Sequence, residues 1–166
     1  MVIDLAKGTY IGELPRTPVR TLRFGVQVLV DIGTGMQLFI RDQQELLNRI
    51  SAIIGRHACD IRYFAGDPRR NGTGARWTYK PLAAPARGTR VLILSDFGLH
   101  HAGTPTRTVG AHEWQEALTV LHRGGCLPVG LTPIPAPRQP SWLRAMMPLL
   151  TWDRTTTAAA AHTRMS

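Results

Sequence analysis

Two apolar runs of strand character, VQVLVDIG (Val26 to Gly33) and TRVLILSDFG (Thr89 to Gly98), each end on an aspartate with a glycine close behind. Neither run alternates cleanly between apolar and polar residues, which is the pattern of a strand buried on both faces inside a parallel sheet. Between them, RDQQELLNRISAIIG (Arg41 to Gly55) places Leu46, Leu47, Ile50, Ile53 and Ile54 on one helical face. Asp42 and Glu45 stand at capping-box spacing there, and Gly55 suits the helix stop. Strand, helix and strand in this order require a crossover, so the chain is constrained to an α/β fold with right-handed connections. Ligands of such sheets bind at the carboxyl ends of the strands, where Asp31 and Asp96 both fall.

The remaining elements extend the same alternation. DIRYFAG (Asp60 to Gly66) reads as a second strand, and ARWTYKPL (Ala75 to Leu82) as a short edge strand, because a proline closes it. AHEWQEALTVLHRGG gives a second helix with Trp114, Ala117, Leu118 and Leu121 inward and Gly124 and Gly125 at its end. CLPVGLTPIPAP is a strand running into a proline-rich loop, and residues 141–150 form a short helix containing Trp142, Leu143 and Met146. Residues 1–20 read as an irregular lead-in, 21–150 as the domain, and 151–166 as a tail or linker whose low complexity suits a domain taken from a larger protein.

Composition narrows the function classes. The chain has 166 residues, 43% of them apolar, enough for one α/β core, and no run approaches the roughly 18 apolar residues of a membrane span. Cys59 and Cys126 share no CxxC spacing and read as buried free thiols in a reducing compartment, so a soluble cytoplasmic protein is expected. The net charge is +9, but all except two of the 20 basic residues are arginines, and they are spread along the chain rather than clustered. That spread disfavours a nucleic-acid stripe, which gains affinity from clustered cations. For DPRRNGTGAR the alternatives are a solvated turn and an arginine contact to an acidic partner.

The turn after Asp31 admits several chemistries. DIGTG is similar to the phosphate loops of the actin and sugar-kinase type, where glycines let backbone N–H groups approach phosphate; this would make a small nucleotide-binding or hydrolytic protein. The chain is short for the two lobes of such enzymes, and an amphipathic helix rather than a hairpin follows the turn. His100, His101 and His112 near Asp96 are candidate zinc ligands or proton relays, although an adjacent pair points in different directions. No nucleophile elbow and no Walker loop accompanies them. In the simplest reading, Asp31 caps its own turn by accepting backbone N–H bonds, and the glycines serve tight geometry.

Residues 24–135 together resemble a von Willebrand factor A (vWA) domain, and four stretches carry the likeness to a divergent bacterial subgroup: LRFGVQVLVDIGTGM, VLILSDFG, RGGCLPVGLTPIPAPR and WDRTTTA. The resemblance implies a three-layer Rossmann-like fold with a mainly parallel central sheet and helices on both faces. It also implies a metal-ion-dependent adhesion site in which Asp31 matches the first aspartate of a DxSxS turn and Asp96 the aspartate after a later strand. Gly33 and Gly35 stand in place of the two serines, which removes two hydroxyl ligands from a magnesium octahedron. The resemblance therefore implies a degenerate metal site and a non-catalytic, metal-independent protein-interaction role, with no cofactor; a magnesium-dependent binding domain is the alternative. Gly33, Thr34, Gly35, Ser95 and Arg138 are the candidate binding residues around it. Domains of this subgroup accompany MoxR-type AAA+ ATPases in multi-component conflict systems, so such an ATPase is the partner implied. The proline-rich TPIPAPRQPSWL either joins the binding surface or packs Trp142 back on the domain.

Overall fold

In the computed structural model, which describes residues 25–100 and 109–152, the sheet and its helices follow from that alternation. The elements are β1 (Val26–Asp31), α1 (Ile40–Ile54), β2 (Cys59–Phe64), β3 (Arg70–Asn71), β4 (Lys80–Pro81), β5 (Arg90–Leu94), α2 (Ala111–Arg123), β6 (Leu127–Thr132), α3 (Ser141–Met146) and β7 (Leu149–Thr151). Five strands form one parallel sheet in the order β2-β1-β5-β6-β7, while β3 and β4 pair antiparallel in a separate ribbon. The fold is thus α/β and Rossmann-like, with all strands of the main sheet parallel.

Side-chain alternation along β1 divides the core in two. Val26, Val28 and Val30 pack with Leu47 and Ile50 of α1, whereas Leu29 joins Trp114, Leu118 and Leu121 of α2 and Leu143 of α3. All six residues of β1 are buried, as expected of a strand flanked on both edges and covered by helices on both faces. Trp114 is the hub of the second cluster, with its ring 5.9 Å from Phe64 and 4.7 Å from Phe97. Truncating a ring so enclosed costs about 3–5 kcal/mol in typical cores.

Several expectations are corrected. The capping box of Asp42 and Glu45 does not form, because the helix begins earlier, at Ile40, after a 3-10 turn over Thr34–Phe39; Glu45 pairs instead with Arg49 one turn on. Ile53 points into solvent at 74% exposure, while Leu47 and Ile50 are buried; the apolar stripe is narrower than the sequence suggests. Gly55 does end the helix, at φ 92°, with its N–H donating to Ser51 O. ARWTYKPL is not one strand: Arg76–Thr78 is a 3-10 turn, and only Lys80 and Pro81 extend, pairing with Asn71 and Arg70. Residues 141–150 hold a helix of six residues, after which Leu149–Thr151 adds a fifth strand that the sequence did not reveal. Trp142 is half-buried against the α2 cluster. Cys126 is buried, Cys59 is half-buried, and both are free. The lead-in and most of the tail lie outside the described residues, as does His101.

Candidate functional site at the carboxyl edge

The chain leaves β1 toward β2 on one side and returns as β5 on the other, so the carboxyl ends of β1 and β5 border the point where the strand order reverses. Crevices at such points are where open α/β sheets bind ligands. Asp31 ends β1, and Ser95 and Asp96 follow β5; their relative exposures are 2%, 0% and 3%. The structure brings both aspartates and Ser95 together, but it also supplies protein partners for each carboxylate oxygen.

Asp31 Oδ1 accepts hydrogen bonds from Gly33 N (2.8 Å) and Gly66 N (2.9 Å), and Oδ2 accepts one from Ser95 Oγ (2.7 Å). Ser95 Oγ in turn accepts the N–H of Phe97 at 2.9 Å. Asp96 Oδ1 accepts from Gly98 N (3.1 Å) and Oδ2 from His100 N (3.0 Å). These are charge-assisted bonds between carboxylates and turn backbone, and they fold the loops after β1, β2 and β5 onto one another. Phe97, between Asp96 and the Gly98 N–H that bonds it, is held at φ 55°, uncommon for a non-glycine residue, and is buried to 1% exposure. Its apolar burial against Trp114 offsets a backbone cost on the order of 1 kcal/mol.

The glycines allow this closure by close approach. A β-carbon at Gly33 would lie 2.9 Å from both Asp31 Oδ1 and Gly66 N, and one at Gly35 would overlap Asp96 Oδ2 and stand 3.0 Å from His100 O. A serine at either place would have to displace the carboxylate it is meant to assist. The backbone of the Thr34–Phe39 turn therefore occupies the ground above the two acids, and the donor set does not fit a magnesium octahedron as it stands. A phosphate fits no better: the N–H groups of Gly33 and Gly66 are aimed at a carboxylate, and two acids line the turn.

Burial pushes the Asp31 carboxyl above its ordinary range, and the charge of Asp96 adds to this, while the bonds from Ser95, Gly33 and Gly66 oppose it. The other candidates stand apart. Thr34 is exposed at the start of the 3-10 turn, and Arg138 is exposed on a second such turn, Ala136–Arg138; neither side chain hydrogen-bonds to the acids. His100 is half-buried, with its ring edge-on to Phe39 at 5.7 Å, and His112 lies exposed on α2, 3.9 Å from Glu116. Among the described residues no three His, Cys, Asp or Glu side chains converge on a common point.

Sequence reasoning missed Gln43 and Gly66. Gln43 is buried on α1, and its Nε2 donates to Asp31 O at 2.9 Å, tying the helix to the end of β1. The signal was a polar residue on the helical face of Leu47 and Ile50, where an amide survives only with a partner. Gly66 follows β2 at the same edge of the sheet, with φ 78°. Comparison of the chain with family models, curated proteins and solved structures yields no match.

Proposed function

We propose that this domain is a non-catalytic recognition module of vWA type, an adaptor whose partner contacts need no metal ion. The observation that carries the reading is the closed pair of acids: each carboxylate oxygen of Asp31 and Asp96 already accepts a hydrogen bond from the protein. Gly33 and Gly35 let the turn pack where serine hydroxyls would stand in a working adhesion site. A partner then has no exposed cation to coordinate, and its binding rests on loop shape, arginines and apolar side chains. In this reading the parallel sheet is the core of the vWA arrangement, the protein works in the cytoplasm, and a MoxR-type AAA+ ATPase of the same multi-component system is the partner to try.

Two measurements on the purified chain test this. Surface-immobilised protein is titrated with a MoxR-type ATPase from the same genome, in magnesium and then in chelator, and phosphate release from ATP is followed for the chain alone. The expected outcome is binding that survives chelation, with no turnover. Binding abolished by chelator restores the magnesium-dependent reading, failure to bind removes this partner, and turnover by the chain alone contradicts the non-catalytic one.

A further inference from the structure

Between Asp67 and Asp96 the chain carries six basic residues and no acid, and the structure gathers three of them, Arg70, Arg76 and Lys80, in the short ribbon of β3, β4 and the turn between them, with Arg69 just before it. Arg69 is neutralised by Asp67 and Glu116, each at 2.8 Å. Arg70, Arg76 and Lys80 have no carboxylate within ion-pair distance among the described residues. Beside them Trp77 is 88% exposed, the most exposed large apolar side chain described.

This exposure is built into the ribbon rather than left by a loose loop. Tyr79, two residues on, is buried and packs against Gly72; Arg70 Nη2 donates to Tyr79 O at 2.6 Å; and Thr78 Oγ1 donates to Ala75 O at 2.6 Å. Arg76 Nη2 donates to Ile32 O at 3.1 Å, joining the ribbon to the turn after β1, where Ile32 is itself 36% exposed. Tyr63 and Gly72 exchange backbone bonds at 2.7 and 3.0 Å, which fixes the ribbon to the outer edge of β2. The tryptophan is thus presented on a pinned backbone, which reduces the entropy lost when it is covered. Tryptophan and arginine are the side chains that most often carry interface energy.

We infer that the Arg70–Lys80 ribbon is the docking surface of the recognition module, and that its occupant is an acidic protein segment which places an apolar side chain on Trp77 and carboxylates on Arg76, Arg70 and Lys80. The inference rests on the recognition reading above. Charge complementarity selects an acidic ligand, and Trp77, the one large aromatic exposed among the described residues, selects peptide over nucleic acid, since single-strand platforms stack successive bases on successive aromatics.

The test is selection of a phage-displayed random peptide library on the immobilised full chain, followed by anisotropy titration of the enriched peptides and of a 20-mer of poly(dT). Acid-rich peptides containing a large apolar residue are expected. Their affinity should fall about 30-fold in Trp77→Ala, the loss typical of an interface hot spot, and several-fold in Lys80→Gln and with rising salt. Equal melting temperatures of variants and parent establish that folding is unchanged. Peptides without acidic enrichment, no enrichment at all, or binding indifferent to Trp77→Ala would overturn the surface; selected peptides that bind elsewhere would leave the recognition reading standing. Poly(dT) bound more tightly than any peptide, and lost in Trp77→Ala, would replace the protein segment with single-stranded nucleic acid.

Discussion

The aspartate turns at the carboxyl ends of β1 and β5 and the basic ribbon on the outer edge of β2 are joined by the bond from Arg76 to Ile32 O, yet they use their polar groups in opposite ways. Around Asp31 and Asp96 the charges face inward and meet backbone N–H groups, so the local chemistry is consumed in holding three loops together. In the ribbon Arg70 and Arg76 each give one N–H to a backbone carbonyl, yet both, like Lys80 and Trp77, stay exposed, and the three cations meet no carboxylate among the described residues. A cluster of acids at a ligand-binding edge is therefore no sign of reactivity by itself; what separates structure from recognition is whether the side-chain atoms still have capacity to bind.

Substitutions can break this contrast, each with an expected size. Asp31→Ala leaves the N–H groups of Gly33 and Gly66 and the hydroxyl of Ser95 without their acceptor, and unmade buried bonds cost about 1–3 kcal/mol each. Urea unfolding is expected to show a loss of about 3 kcal/mol or more, equal with and without magnesium; a loss seen only with the ion would mean that Asp31 is a ligand. Gly35→Ser, which restores a side chain of the metal-binding pattern, forces Asp96 aside and should cost about 1–3 kcal/mol as an overpacked site. A neutral or stabilising serine would show that the turn has room for an ion.

Gln43→Leu removes the bond to Asp31 O while keeping the volume, with an expected loss of about 1–2 kcal/mol by the same unfolding assay. Smaller still is the pH effect of Asp31. Because burial raises its folded pKa above the ordinary 3.8, folding favours the protonated form; the contribution of this group is greatest below 3.8 and declines as pH rises through the folded value. Melting of Asp31→Asn relative to the parent should therefore shift in favour of the variant as pH rises above 3.8, and a shift toward the parent would contradict the assigned direction. At the other end of the contrast, Trp77→Ala should change stability by less than about 0.5 kcal/mol, since the ring is 88% exposed; a large loss would make it a packing residue.

The sheet and the inward face of α2 were legible in the sequence because continuous apolar runs and helical spacing report burial directly, and Trp114, Ala117, Leu118 and Leu121 are all buried. Elements of two or three residues were not. β3, β4 and β7 are too short to show a period, and β7 exists because residues 149–151 find an edge of β6 to pair with. The start of α1 was misread since a 3-10 turn over Thr34–Phe39 leads straight into it and no side chain caps it. At the site, Asp31, Ser95 and Asp96 were legible as strand-end residues, and the glycines as a departure from a serine pattern. That the glycines seal the acids was not, because it depends on Gly66 and His100 arriving from two other loops.

The central claim is that the two acids are structural and closed to metal. Its most direct test is thermal melting of the chelator-treated protein with and without millimolar magnesium or manganese, since an ion bound only by the native state must raise its stability. An unchanged melting temperature is expected. A saturable rise, lost in Asp31→Ala, would contradict the claim and restore a metal-dependent binding site at the end of β1.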